Sequence, residues 1–299
     1  MITSLKIWNE PNNLSHWDFL LDPGWRIYAD LVRAAAAAIH EVASGLSVVL
    51  GGLSPIDLDF LRNLRELGVL DSVDVLAVHG FPLDWNLWPL EEWPEKVDGL
   101  EAEFAKPVWI TETGVSSFAD EAIAAWGLRR SLELLHGRRV FWYTLLDLAP
   151  AVEATTRHKH AEGSAYFRHF HFGLLRWDGT PKRSLSEFRP ELGICQWFQF
   201  GDERSLTLAV EWLQRLGVRH VRTGLSWAES LLPGADAWFD RLVAALEPFD
   251  VCATLCFTPP TRGVRPYHTS PPLDVTEFAA FARRIARRYV TPGSDREQK

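Results

Sequence analysis

Short runs of apolar, β-branched and aromatic residues alternate along the chain with longer segments in which apolar residues recur at helical spacing. The short runs predict eight strands, at Leu5–Trp8, Ser47–Leu50, Val73–Val78, Pro107–Thr111, Val140–Leu145, Ile194–Phe200, Val218–Gly224 and Cys252–Phe257. The amphipathic segments predict helices, at Trp25–Val42, Leu58–Leu67, Glu92–Phe104, Ala119–Leu135, Pro181–Phe188, Leu206–Leu216, Ala237–Leu246 and Val275–Tyr289. Strands that alternate with helices pair in parallel through right-handed crossovers. Eight such units in 299 residues predict an α/β fold, a (β/α)8 or TIM barrel that spans residues 1–299 as a single domain.

Composition and charge exclude several classes of protein. The chain is 47% hydrophobic and 23% charged, as is typical of globular domains. Its formal net charge of −8 argues against nucleic-acid binding, which needs a clustered basic face. No apolar run approaches the ~20 residues of a membrane span. The three cysteines fit a reducing compartment, and the first ten residues lack the layout of a signal peptide, so we expect a cytoplasmic protein.

Two glutamates follow predicted strands, just before residues that favour turns. Glu10 lies in Trp-Asn-Glu-Pro-Asn after the first strand, and Glu112 lies in Ile-Thr-Glu-Thr-Gly after the fourth. Active sites of these barrels lie at the carboxyl ends of the strands, so both side chains are expected at one mouth. Such a pair can divide its roles, one acting as acid and the other attacking or activating water. The alternative is that each glutamate only caps a helix or forms a surface ion pair.

Together the two motifs resemble the signature of the retaining glycoside hydrolases of clan A, and most closely those of families 39 and 5. The resemblance implies that Glu10 is the acid/base, Glu112 the nucleophile and Asn9 a contact to a substrate hydroxyl. His79 resembles a histidine that lines the sugar site in these families, and Trp142 resembles the aromatic residue beside the catalytic sugar.

The order of the motifs differs from that clan, where the acid/base follows the fourth strand and the nucleophile the seventh. Here residues 1–188 resemble strands four to eight, and residues 189–299 resemble strands one to three. The chain is therefore similar to the clan in circularly permuted order, and this places Arg222 near the nucleophile. Barrel termini lie close together at the surface, so such a cut is tolerable. We expect a monomer or a homodimer, the latter including a form with exchanged strands.

In the retaining mechanism Glu112 attacks the anomeric carbon while Glu10 protonates the departing oxygen and later deprotonates water. Arg222 and His79 are expected to offer charge or hydrogen bonds to Glu112, with a rim ion pair and a core histidine as the alternatives. Tryptophan rings cover the apolar faces of sugars well. The tryptophans placed to do so are Trp17, Trp85, Trp88, Trp142 and Trp227, of which Trp142 is the strongest candidate.

Two His-x-His pairs admit a metal hypothesis, namely His158 with His160 and His169 with His171. On extended backbone each pair would place both rings on one side, a plausible ligand geometry. No cysteine or carboxylate cluster completes the set. We therefore favour a polar flap over the sugar site, and we expect neither a metal nor a cofactor.

The sequence as a whole predicts a glycosidase that cleaves β-glycosidic bonds in an oligosaccharide or glycoside, with xylosidase-like or glucosidase-like activity. The long segments Pro82–Trp93 and Asp147–Thr180 favour a closed, exo-acting pocket. Two alternatives stay open. One is a catalytically silent carbohydrate-binding barrel, and the other is a transglycosylase, which shares the covalent intermediate.

Overall fold

The computed structural model describes residues 1–149 and 167–290, and all eight predicted strands are found there. Their bounds are β1 Ile2–Ile7, β2 Ser47–Leu50, β3 Leu76–Gly80, β4 Val108–Thr113, β5 Val140–Tyr143, β6 Gly193–Cys195, β7 His220–Ser226 and β8 Asp250–Cys256. The sixth strand is shorter than its predicted range. It ends at Cys195, although the backbone amide of the next residue, Gln196, still donates to the carbonyl oxygen of Arg222 on β7 (2.9 Å).

The strands form one parallel sheet in the order β2-β1-β8-β7-β6-β5-β4-β3. Consecutive strands of the chain are therefore neighbours in this order except for β2 and β3, and β1 also lies beside β8. The strands at the two ends of this order are linked as well, because Val49 bridges Val75 in parallel and the Leu50 amide donates to the Val75 carbonyl oxygen (2.9 Å). The predicted (β/α)8 barrel is confirmed by this order.

Helices lie between the strands at almost all of the predicted places. Within the described residues they are α1 Arg26–His40, α2 Leu58–Glu66, α3 Trp93–Phe104, α4 Glu121–Leu134, α5 Glu203–Arg215, α6 Ala235–Ala245 and α7 Val275–Tyr289. Four begin at an aspartate whose side chain accepts a hydrogen bond from the first turn, namely α2, α4, α5 and α7. Such a cap stabilises a helix by about 1 kcal/mol. In this part of the chain none of the helices has the length and apolar character needed to cross a bilayer.

The predicted helix over Pro181–Phe188 is wrong, since the structure has only a short 3₁₀ turn there, Arg183–Glu187. The hydroxyl of Ser186 donates to the carbonyl oxygen of Arg183 (2.9 Å), three residues earlier. Serine hydroxyls that bond nearby backbone in this way compete with α-helical pairing. The connection between β5 and β6 thus has no α-helix in its described part.

The chain forms two compact units, one made of Met1–Ala77 and Thr223–Lys299 and the other of Val78–Arg222. The first unit contains β1, β2 and β8, with α1 and α7 packed together. Within it β1 is hydrogen-bonded on both sides, to β2 and to β8. The second unit contains β4, β5 and β6 with α3, α4 and α5.

The core of the first unit is aromatic. Trp8 meets Trp17 edge to face with ring centroids 4.9 Å apart, and Trp17 meets Tyr28 at 5.4 Å. Phe278 of α7 packs on Trp8 at 5.7 Å, and all four side chains are fully buried. Edge-to-face pairs add about 0.5–1.5 kcal/mol each beyond the area that they bury. This packing fixes the residues that lead out of β1 towards Glu10.

Candidate active site

Within the second unit, Glu112 lies near the carboxyl end of β4 and is only 6% exposed. Its Oε1 accepts a hydrogen bond from Nη1 of Arg222 on β7, and it lies 3.6 Å from Nε2 of His79 on β3. Sequence reasoning named all three of these residues, and the structure brings them together. Arginine stays protonated in proteins, so the contact between Arg222 and Glu112 is a charge-assisted hydrogen bond.

Arg222 is fully buried, and several groups hold its guanidinium in place. Nη1 donates to Sγ of Cys195 at 3.0 Å and reaches the carbonyl oxygen of Thr111 at 3.4 Å. The guanidinium carbon lies 5.5 Å from the ring centroid of Trp197, which gives a cation–π contact. Sequence reasoning missed Cys195 and Trp197. The one available signal is their position at the carboxyl end of β6.

His79 is fully buried at the end of β3. Its Nε2 lies 3.0 Å from Oγ1 of Thr111, the residue before Glu112 in β4. The ring thus belongs to a hydrogen-bonded core and also lies beside the carboxylate. The structure thus shows a core contact of His79, with Thr111, and a contact with the candidate nucleophile Glu112.

Within the first unit, Glu10 follows β1 and is 7% exposed. The backbone of Trp8 (φ 68°) and of Glu10 (φ 44°) adopts left-handed values that side chains rarely take. Such conformations are often found at functional sites, where the surrounding structure imposes them. Oε2 of Glu10 accepts a hydrogen bond from Nδ2 of Asn13 (3.0 Å) and lies 3.2 Å from Nδ1 of His16.

Asn9 is also buried, and its orientation is fixed from inside β1. Nζ of the fully buried Lys6 donates to Oδ1 of Asn9 at 3.0 Å. Because the amide oxygen accepts from the lysine, the amide nitrogen is directed elsewhere as a donor. Lys6 is another residue that sequence reasoning missed. A lone lysine in an apolar strand carries no signal of its partner.

The predicted sugar-stacking tryptophans have different environments. Trp142 is 1% exposed on β5, and Trp227 is 4% exposed and packs on Phe278 with centroids 5.5 Å apart. Trp17 is part of the aromatic core of the first unit. These three rings are therefore packed within the protein in this structure. For them a sugar contact remains a prediction that would require the surrounding side chains to move.

Trp85 and Trp88 keep partly exposed rings. Trp85 packs on Phe81 (4.6 Å) and Phe172 (5.0 Å), in the loop that follows β3. Trp88 meets Trp93 edge to face at 4.9 Å, and the ammonium group of Lys96 lies 4.9 Å from the Trp88 ring centroid. Trp85 shares its ring contacts with a residue at the end of a strand. It contacts the same Phe81 and Phe172 rings as the half-buried Tyr143 at the end of β5.

The structure corrects the backbone expected for one His-x-His pair. His169 and His171 lie in a 3₁₀ turn rather than on extended backbone, so the geometry expected for two ligands on one side is wrong for this pair. The His169 ring packs on Trp85 (5.5 Å) and Tyr143 (6.1 Å), whereas the His171 ring packs on Phe118 (5.6 Å). The other pair, His158 and His160, lies outside the described residues.

The pH dependence of stability should reveal the environment of His169. Burial lowers the pKa of His169 to about 4, from 6.5. Between these values the unfolded chain binds more protons than the folded one, so stability is present above pH 6.5 and is lost as the pH falls towards 4. From about pH 7 to about pH 5, this residue should reduce the free energy of unfolding by about 2 kcal/mol. Urea unfolding of the wild type and of His169→Phe measures it. If the free energy of unfolding falls equally with pH in the two proteins, the lowered pKa of His169 is contradicted.

Glu229 is a further titratable group that sequence reasoning did not single out. It begins a 3₁₀ turn after β7, and its amide donates to Oγ of Ser226 at 3.2 Å. Burial raises the pKa of Glu229 to about 7, so this carboxyl exchanges its proton near neutral pH. Perturbed carboxyls cluster at functional sites. No local pattern in the sequence indicates that this side chain would be withdrawn from water.

No protein-family model and no curated protein sequence matches this chain. Among solved structures it is similar to a GH128 (subgroup V) exo-β-1,3-glucanase from Cryptococcus neoformans, at 15% identity and a TM-score of 0.42, over 60% of this chain and 66% of that one. It is also similar to a GH128 (subgroup II) endo-β-1,3-glucanase from Sorangium cellulosum, at 18% identity and a TM-score of 0.39, over 62% of this chain and 68% of that one. A GH2 β-galacturonidase from Eisenbergiella tayi matches at 13% identity and a TM-score of 0.34, over 47% of this chain. The match spans only 31% of that β-galacturonidase.

Proposed function

We propose that the protein is a retaining glycoside hydrolase that cleaves β-glycosidic bonds, with Glu112 as nucleophile and Glu10 as acid/base. The observation that carries the proposal is the contact of Arg222 with the Glu112 carboxylate at the buried carboxyl end of β4. The nucleophile of this mechanism attacks as a carboxylate, and Arg222 is an ion-pair partner that holds the Glu112 oxygens in place. The position at a strand end is where barrel enzymes carry their chemistry.

Glu10 differs from Glu112 in the groups around it, and this supports the division of roles. Glu10 accepts a hydrogen bond from the side-chain amide of Asn13 and lies beside the imidazole of His16. A carboxyl can accept such a hydrogen bond on one oxygen and carry a proton on the other, as an acid/base must during part of its cycle. A carboxyl with these partners and a second carboxyl paired with an arginine suit the two roles of the retaining mechanism.

The reaction then runs in two displacements. In the first, a Glu112 oxygen forms a bond to the anomeric carbon, the glycosidic C–O bond breaks, and the proton of Glu10 passes to the departing oxygen. In the second, Glu10 takes a proton from water, whose oxygen attacks the anomeric carbon and releases Glu112 as a carboxylate. Asn9 would donate from its amide to a substrate hydroxyl, in the orientation that Lys6 imposes.

We further propose that the barrel is a circular permutant of the clan A arrangement of families 39 and 5. Glu10 follows β1 and Glu112 belongs to β4, which preserves the interval of three strands between the acid/base and the nucleophile of that clan. Arg222 on β7 would then correspond to the clan's second strand. Within this proposal the whole chain forms a single barrel domain.

An exo mode of action is the finer proposal, and the packing of the loop after β3 supports it. Asp84 in this loop accepts a hydrogen bond from the amide of Ser116 (2.9 Å) and is paired with the guanidinium of Arg168. A long loop that is fixed to the next loop of its unit can close one end of a cleft. Analysis of the products released from short oligosaccharides tests this, since an exo enzyme removes one sugar at a time.

The function itself is tested with nitrophenyl β-glycosides of xylose, glucose, galactose, arabinose and fucose. We expect turnover of at least one sugar, with loss of activity in both Glu10→Gln and Glu112→Gln. The anomer first formed, followed by NMR, should be β, because two displacements retain configuration. A first product in the α form would contradict the mechanism. A folded protein that binds oligosaccharides without turning over any of these glycosides would instead favour the silent binding barrel.

A further inference from the structure

We propose that Asn13, Ser15 and His16 form a positioning network that directs the acidic proton of Glu10 to Oε1 and aims that oxygen at the leaving group. The inference rests on the proposed role of Glu10 as acid/base and assigns the residues that orient it. All four side chains belong to the segment that follows β1 in the first unit.

The backbone of this segment folds back so that its side chains return to Glu10. The amide of Asn13 donates to the carbonyl oxygen of Glu10 (2.9 Å), and the amide of His16 donates to that of Asn13 (2.9 Å). Nε1 of the buried Trp8 donates to the carbonyl oxygen of His16 at 3.0 Å and ties the end of the segment to the core. The turns are therefore anchored at both ends.

The hydrogen bonds of Ser15 fix the direction of each polar group. Its backbone amide donates to Oδ1 of Asn13 at 3.0 Å, and its hydroxyl donates to the same oxygen at 2.7 Å. A backbone amide can only donate, so this atom of Asn13 is the amide oxygen and the NH₂ group is the one that faces Glu10. The hydrogen bonds of Ser15 thus determine the orientation of the Asn13 side-chain amide.

The same reasoning fixes the tautomer of His16. The hydroxyl proton of Ser15 is used towards Asn13, so Oγ of Ser15 acts as the acceptor in its 3.0 Å contact with Nδ1 of His16. Nδ1 therefore carries a hydrogen, and the same nitrogen lies 3.2 Å from Oε2 of Glu10. The His16 ring is stacked on Phe257, with centroids 6.4 Å apart and an interplanar angle of 22°, which holds it in this position.

The consequence concerns one oxygen of Glu10. Oε2 accepts a hydrogen bond from the NH₂ group of Asn13 and lies 3.2 Å from Nδ1 of His16, whose one hydrogen faces both this oxygen and Oγ of Ser15. An oxygen that accepts from N–H donors is a poor place for a proton. In the acid form the proton therefore belongs on Oε1, from which it passes to the leaving oxygen. Once it has left, the two N–H groups stabilise the carboxylate that takes a proton from water in the second step. Asn13, Ser15 and His16 are positioning residues, because they act through Glu10.

The test compares aryl glycosides of one sugar that differ only in how much the leaving group needs a proton. A dinitrophenol leaves without protonation, whereas phenol needs general acid assistance, which contributes about 10²–10⁴-fold. We expect His16→Gln and Asn13→Ala each to lower kcat/KM for the phenyl glycoside about 10-fold or more, and for the dinitrophenyl glycoside by less than about 3-fold. Ser15→Ala, which removes one hydroxyl, should give the same pattern in a milder form. His40→Gln, at the exposed end of α1, is the matched control and should change neither.

The result that would overturn the proposal is an equal loss on both leaving groups in folded variants, because that marks a purely structural role. An unchanged kcat/KM on both substrates would overturn it too. Glu10→Ala separates this inference from the proposed function. If Glu10→Ala itself shows no preference for the activated leaving group, the acid/base assignment fails. If it shows that preference and the His16 and Asn13 variants do not, only the network fails.

Discussion

Replacing Glu112 with glutamine is expected to lower kcat by about 10⁴-fold or more, the largest effect of any single substitution in this protein. A carboxamide cannot form the bond to the anomeric carbon, so the covalent intermediate is lost. The measurement is kcat for the release of dinitrophenol from a dinitrophenyl glycoside, made with Glu112→Gln and with Glu112→Ala. Added azide should restore activity to Glu112→Ala, because the small anion can attack from the vacated side. The product should then be an α-glycosyl azide, since only one displacement occurs.

A matched control is available on the same unit. Glu133, an exposed glutamate of α4 paired with Arg130, can be replaced with glutamine and should leave kcat unchanged. Two outcomes would contradict the assignment of Glu112. One is activity of Glu112→Gln within about 10-fold of the wild type. The other is azide rescue that gives a β-glycosyl azide, which would place the missing group on the other side of the sugar.

Most of the fold could be predicted from the sequence, because hydrophobic periodicity reports local burial. The strands β2 and β5 begin at the predicted residues, Ser47 and Val140. This periodicity does not report local hydrogen bonding. Ser186 bonds its own 3₁₀ turn where a helix was predicted, and β6 is shorter than its apolar pattern suggests.

The candidate site was predictable only in part. Glu10 and Glu112 stand out because their neighbours in the sequence are informative, and Arg222 follows from the resemblance that those motifs carry. Cys195 and Trp197 could not be found in this way, since they meet Arg222 only after β6 and β7 have paired. The sequence also did not show how far each tryptophan ring would be exposed to solvent. Period-two alternation separates the faces of a strand, but in a barrel both faces are buried, as Trp142 illustrates.

The second large effect concerns stability. Replacing Arg222 with methionine should lower the free energy of unfolding by about 3–5 kcal/mol, because it leaves the buried Glu112 carboxylate without its guanidinium. The kcat should fall as well, by about 10²-fold or more, because the variant lacks the guanidinium that forms an ion pair with the nucleophile Glu112. Urea unfolding at neutral pH measures the first quantity, and turnover of the dinitrophenyl glycoside measures the second. Arg129→Met, which removes an exposed partner of Glu187, should cost less than about 1 kcal/mol.

The double variant distinguishes a charge effect from a loss of packing. If the cost of Arg222→Met comes from an uncompensated carboxylate, then adding Glu112→Gln removes that charge and should recover at least about half of the lost stability. Glu112→Gln alone removes the carboxylate that pairs with the buried Arg222, so it should also destabilise the protein. The two single losses should therefore exceed the loss in the double variant. Strict additivity would mean that Arg222 stabilises the protein by its contacts with Cys195 and Trp197, and that its charge is not what prepares Glu112.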